Sequence, residues 1–243
     1  LNDFVDALKT AVTPDSKEAT LSIFLRIQQI AKGVETNFSE MHLFGKDHIS
    51  EILNIKLNEV TTPFKFTISP TAFFQPNSAQ AANLYGRALE IANLTKDDIV
   101  YDLYCGTGTL GICIAKHVKQ IIGIEISPES SLDARTNAKN NGLNNYTVHT
   151  GCVSKVLKEK ELPKPDVVMI DPPRSGLEVA ALKEITNLNA KKIVYISCNP
   201  ETQSKNVEEL IKAGYRLIAL QPVDQFPQTV HIENIALLMR EDL

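Results

Sequence analysis

Hydrophobic and polar positions are laid out differently on either side of residue 65. From Asp98 onward, short apolar runs rich in Ile, Val and Tyr alternate with amphipathic stretches, and Gly, Pro, Asn or Asp punctuates the joins. The runs predict strands at Ile99–Tyr104, Ile121–Ile126, Tyr146–Thr150, Val167–Ile170, Ile193–Ser197, Tyr215–Leu220 and Ile232–Met239. The stretches between them predict helices at Thr109–Lys116, Pro128–Asn141, Val153–Glu161, Glu178–Leu188 and Glu201–Ala213. Ser127-Pro128-Glu129 reads as a helix cap with proline in the first turn, and Gly142 and Gly214 sit where helix ends favour a left-handed residue. Strands alternating with helices imply an α/β fold, a doubly wound seven-stranded sheet that is mostly parallel. The last two strands are joined by a loop with no room for a crossover helix, so the final strand should run antiparallel.

The first 65 residues are less regular. Phe4, Leu8 and Val12 share a helical face that Thr13-Pro14-Asp15 breaks, and Leu21–Ile27, Ile49–Leu57 and Phe64–Ile68 suggest short strands. We expect a partial, small α+β domain over 1–65 and the large α/β domain over 66–243. At the join, Ile68–Asn77 holds two prolines, two phenylalanines and a glutamine ahead of a helix at Ser78–Leu94. That composition describes either a shaped loop or a linker with a hydrophobic staple.

Composition narrows the classes. No apolar run approaches the ~18–20 residues of a membrane span, and the N-terminus lacks a signal-peptide pattern, so a cytoplasmic protein is expected. The chain starts at Leu1 rather than Met, which reads as a fragment of a longer protein. The four cysteines form no Cys-x-x-Cys pair, so reduced thiols are expected and no metal site. A net charge of −4 argues against a broad basic nucleic-acid surface, leaving a local patch or a further domain to supply positive charge.

Three stretches carry chemistry. Asp102-Leu-Tyr-Cys-Gly106-Thr-Gly108-Thr-Leu-Gly111 follows the first strand of the α/β region and opens a helix; such glycines let a ligand approach the backbone. Glu125 closes the next strand, where a carboxylate can accept from ribose hydroxyls, so an adenosine-containing cofactor is expected. A dinucleotide would fit the glycines, but Asp102 is unwelcome beside a pyrophosphate; S-adenosylmethionine, cationic and free of phosphate, suits it better. Asp171-Pro172-Pro173-Arg174 ends another strand with a carboxylate and a guanidinium, whose bland readings are a helix cap and a surface ion pair. The run Lys191–Ser197 stops at Cys198-Asn199-Pro200, placing a thiol at the carboxyl rim of the sheet, where ligands bind in open α/β folds. Taken alone, Cys198 reads first as a small buried hydrophobe, as most free cysteines are.

With Phe73-Phe74-Gln75-Pro76-Asn77 and Pro227-Gln-Thr-Val-His231-Ile-Glu233 added, the chain from about Phe66 to Arg240 resembles the RNA 5-methyluridine (uracil-C5) methyltransferase family. The resemblance implies a Rossmann-like methyltransferase sheet, S-adenosylmethionine as methyl donor, and an unpaired uridine in rRNA or tRNA as substrate. It implies Cys198 as nucleophile and Glu233 as general base. It further implies that Gln75, Tyr104, Gly106, Gly108, Glu125 and Asp171 bind the donor, and that Gln75, Asp171 and Arg174 position the base. A monomer is expected. Family members typically carry an N-terminal RNA-binding barrel, some also an iron–sulfur cluster; neither pattern is present in these residues. Three readings compete: cytosine-C5 methylation, a nicotinamide-dependent oxidoreductase built on the glycine loop, and a non-catalytic RNA-binding module. His231 either orients Glu233 or faces solvent, and Glu233 read without the resemblance is an exposed edge carboxylate.

Overall fold

The apolar runs pair side by side into one seven-stranded sheet. The computed structural model describes residues 1–12, 21–29, 37–57 and 59–241; the expected break at Thr13-Pro14-Asp15 lies outside them. The described chain divides into two compact units, Leu1–Ile49 and Ser50–Leu243.

The first unit holds helix α1 (Asn2–Ala11) and the antiparallel pair β1 (Ile23–Gln29) and β2 (Asn37–Phe44), in register from Ile23↔Phe44 to Gln29↔Asn37. Strand β2 has no counterpart in the sequence reading: Asn37-Phe-Ser-Glu-Met-His-Leu-Phe44 mixes polar and apolar positions without clean turn signals.

In the second unit, β3 (Ile49–Leu57) and β4 (Val60–Ile68) form a two-stranded sheet, followed by α2 (Ser78–Ala92). Then come β5 (Ile99–Leu103), α3 (Thr109–Ile114), β6 (Gln120–Glu125), α4 (Pro128–Asn140), β7 (Tyr146–Thr150) and α5 (Val153–Glu159). The chain continues with β8 (Val167–Ile170), α6 (Val179–Asn187), β9 (Lys192–Ser197), α7 (Pro200–Lys212), β10 (Tyr215–Val223) and β11 (Glu233–Arg240). The sheet order is β10-β11-β9-β8-β5-β6-β7. Strands β5 to β9 run parallel, and β11 lies antiparallel between β9 and β10, as the short final connection requires.

Central strands are apolar throughout because both faces are covered. Val167, Met169, Val194 and Ile196 join one core with Phe66, Leu84 and Leu89 from β4 and α2; Val168, Ile170, Ile193 and Tyr195 join the other with Ala181, Ile185 and Leu210 from α6 and α7. Strand β4 is fastened to α4 by a ladder of side chains. Asn141 and Asn137 each bond both backbone groups of Lys65 and Thr67, Asp133 accepts from the backbone N–H and hydroxyl of Ser69, and Glu129 accepts from the Thr71 hydroxyl. Every fourth residue of α4 and its C-cap meets every second residue from Lys65 and Thr67 of β4 to Ser69 and Thr71 just beyond it; over the strand part the spacings match, since four helical residues rise about 6.0 Å and two strand residues about 6.6 Å.

Candidate active site

The glycine loop, Glu125, Asp171 and Cys198 all follow or end parallel strands at their carboxyl edge. At the end of β5 the chain turns through Tyr104 (φ 63°), Gly106 (φ 53°) and Gly108 (φ 80°) into α3. A side chain on Gly106 would meet nothing within 4 Å, so this glycine faces open space. Gly108 is glycine for a different reason: a Cβ there would lie 3.1 Å from Ala134 and Tyr146, inside the packing behind the loop. Asp102 also points behind it. Its carboxylate, 1% exposed, accepts from the Gly111 N–H and the Tyr146 hydroxyl, both at 2.9 Å, and burial pushes it up to about 6. Its charge therefore underlies the loop and does not line the ligand side, a correction to the sequence reading.

Glu125 is clamped by backbone: Oε2 accepts from Gly106 N–H at 2.9 Å and Oε1 from Ser127 N–H at 2.8 Å. Each oxygen keeps a lone pair for a further donor. The loop from Asp102 to Gly111 carries no lysine or arginine, and Gly106 leaves a cradle, so these residues fit a phosphate-free adenosine ligand. Tyr104 is half-buried, and its hydroxyl is pushed up to about 12 by burial and by Glu178 and Cys152 nearby.

On the neighbouring strands the chemical groups converge. Register pairs Ser197 of β9 with Asn234 of β11, so one step further along, Cys198 stands opposite Glu233. The Ser197 hydroxyl accepts from Asn199 N–H at 3.1 Å, tightening the turn around Cys198. Gln203, 2% exposed, donates to Tyr195 O and Asn234 O and accepts from Asn234 Nδ2 at 2.6 Å, locking α7 across both strands. Arg174 O accepts from Asn199 Nδ2 and Thr202 Oγ1, tying the Asp171–Arg174 loop to the same turn. The Arg174 side chain is exposed and makes no ion pair among the described residues.

Glu233 is 3% exposed, which overturns its reading as an exposed edge carboxylate; burial pushes it up to about 7, with the Arg174 guanidinium pulling it back. Asp171 is pushed up to about 8 by burial and by Glu233 and Asp102. Burial and Glu233 also raise the half-buried Cys198 thiol, against a smaller lowering by Arg174. Among the described residues neither the Glu233 nor the Asp171 carboxyl takes part in a hydrogen bond, so both are available to a ligand. His231 is exposed, its backbone N–H bound to Thr229 Oγ1, and its ring faces solvent.

Gln75, 7% exposed, sits just before the Asn77 cap of α2. Its partner is a residue the sequence reading passed over: Gln225, beyond the end of β10 and fully buried, donates from Nε2 to Gln75 Oε1 and to Asn77 O.

The sequence matches the model of the tRNA (uracil-5-)-methyltransferase family over residues 14–241. The chain belongs to this family. Among its relatives is an RNA methyltransferase of Protochlamydia amoebophila, 57% identical over 98% of this chain and 55% of that protein. Another, from Staphylococcus epidermidis, is 44% identical over 83% of this chain and 43% of its own length. The Pyrococcus abyssi tRNA (uracil-54, C5)-methyltransferase, solved with S-adenosyl-L-homocysteine, matches with a TM-score of 0.65 and 29% identity over 90% of this chain and 50% of that one. The chain thus spans about half the length of these relatives. A precorrin-6y C5,15-methyltransferase of Geobacter metallireducens, at 19% identity and TM-score 0.58, shares the fold. No helix among the described residues is long and apolar enough to cross a membrane.

Proposed function

We propose that this chain is the catalytic part of an S-adenosylmethionine-dependent enzyme that methylates C5 of a uridine in RNA. The observation that carries the reading is the β9–β11 register, which sets a thiol opposite a buried carboxyl held near 7. Bound at Gly106, Glu125 and Tyr104, S-adenosylmethionine supplies an electrophilic methyl group.

Uracil C5 is a weak nucleophile, and Cys198 cures that. After the thiol loses its proton to solvent, sulfur bonds to C6 and the C5=C6 electron pair moves onto O4 as an enolate. Arg174, whose charge favours the thiolate, assists the first step. The enolate pair returns through C5, which takes the methyl group with S-adenosylhomocysteine as the leaving group, and O4 is a carbonyl again. Glu233, as carboxylate, removes the remaining C5 proton; the C5=C6 bond re-forms, the C6–S bond breaks and Cys198 leaves as thiolate. A carboxylate raised to about 7 is a stronger base than an ordinary one and is still about half ionised at neutral pH. The reacting base has to leave its stack to reach this rim, so an unpaired or flexible RNA segment is the expected substrate.

The test uses the full-length protein and RNA from cells lacking its gene, read by nucleoside mass spectrometry. 5-Methyluridine should be restored by the native protein and not by Cys198→Ala; turnover by that variant, or 5-methylcytidine as product, defeats the proposal.

A further inference from the structure

The orientation of the Gln75 amide can be deduced from its neighbours without seeing a hydrogen atom. The Asn77 side chain is fixed first: Oδ1 accepts from Gln80 N–H, so Nδ2 is the end that donates to Gln225 O. Asn77 O, a backbone carbonyl, can only accept, so the end of the Gln225 amide 3.3 Å from it must be the Nε2 donor. That same Nε2 lies 3.3 Å from the end of the Gln75 amide, which must then be Oε1. What Gln75 has left is an NH2 group with no acceptor among the described residues. Gln225 accepts an orphan to keep this arrangement: its own Oε1 is buried and has no partner. Turning the amide over would give that oxygen no relief, for it would then oppose Asn77 O and Gln75 Oε1.

The rim location makes this orientation selective. Gln225 lies two residues beyond Val223, the β10 residue paired with Glu233, so the Gln225–Gln75 pair belongs to the same end of the sheet as the carboxyl that faces C5 in the proposed reaction. The substituent next to C5 is the one on C4. In uracil it is a carbonyl, an acceptor for the Gln75 N–H groups; in cytosine it is an amino group, which would meet them donor to donor.

We propose that Gln225 is a positioning residue that holds the Gln75 amide with its donors toward the target base and so enforces uracil over cytosine. This rests on the uracil-C5 reading above. A buried amide held by a second amide is a stronger filter than a free one, because an unheld glutamine can turn by 180° and offer its carbonyl to cytosine instead.

The experiment uses the full-length protein, a transcript spanning the mapped target uridine, and the same transcript with cytidine there. In Gln225→Leu and Gln225→Glu, the ratio of kcat/KM on uridine to that on cytidine should fall by about tenfold or more, the size of effect that losing one oriented hydrogen bond produces. In a Gln75→Ala background the Gln225 substitutions should leave the ratio where Gln75→Ala sets it, since their effect passes through Gln75. An unchanged ratio in both variants, or an equal loss on both transcripts, overturns the proposal and points to a packing role. If the native protein methylates neither transcript, or prefers cytidine, the uracil reading itself falls and takes this inference with it.

Discussion

In the proposed reaction Glu233 takes a proton from carbon, and burial raises its carboxyl toward the basicity that step needs. Its elevation to about 7 comes from burial, so removing the carboxylate should stop the sequence after methyl transfer, when the cysteine can no longer leave. Glu233→Gln should lower turnover at least about 100-fold and leave a protein–RNA species that survives denaturing electrophoresis. Asp171 carries a separate consequence for stability. Its carboxyl titrates at about 8 in the fold against an ordinary 3.8, so between those values the folded state holds a proton that the unfolded chain has lost. Stability from this group therefore falls as pH rises through that window. Asp171→Asn should raise the melting temperature by a few degrees at pH 9 and leave it unchanged at pH 4, measured by scanning calorimetry.

Among the elements, the parallel strands were plain in the sequence because β5, β6, β8 and β9, buried over most of their length, are mostly apolar. Boundaries moved by a few residues, the largest changes being β4, which begins at Val60 rather than Phe64, and β10, which runs on to Val223 opposite Glu233. Cys198 and Glu233 were legible only once several motifs were seen in one order; a thiol or a carboxylate alone had a duller reading. Gln225 was not legible at all. Its meaning depends on Gln75, 150 positions away, and a glutamine in a Pro- and Gln-bearing loop announces nothing. Asn137 escaped for the same reason. It is fully buried on α4 and donates to Thr67 O of β4 and to Thr107 O in the glycine loop, so it joins the segment leading to Gln75 with the cofactor side. Asn137→Leu should cost about 1–3 kcal/mol in denaturant unfolding and weaken S-adenosylhomocysteine binding as well, by titration calorimetry.

At the scale of the whole molecule, the glycine loop with Glu125 and the Cys198–Glu233 pair lie on one sheet edge but on different strands, β5 and β6 against β9 and β11. A ligand touching the first pair should stabilise the entire larger unit. With S-adenosylhomocysteine at about 100 times its dissociation constant, stability should rise by about 2.7 kcal/mol, about 5–10 °C in melting temperature, while NAD at the same excess should leave it unmoved. The ladder between α4 and β4 sets a different sort of limit on this unit. Its two members behave like a rack engaged with a screw. One residue inserted among the α4 rungs would swing every tooth beyond it by about 100°, and one inserted in β4 would turn the remaining teeth to the opposite face. Substitutions on these teeth should therefore be graded in effect, whereas single-residue insertions and deletions between Lys65 and Thr71, or between Glu129 and Asn141, should be all but absent from any library selected for function.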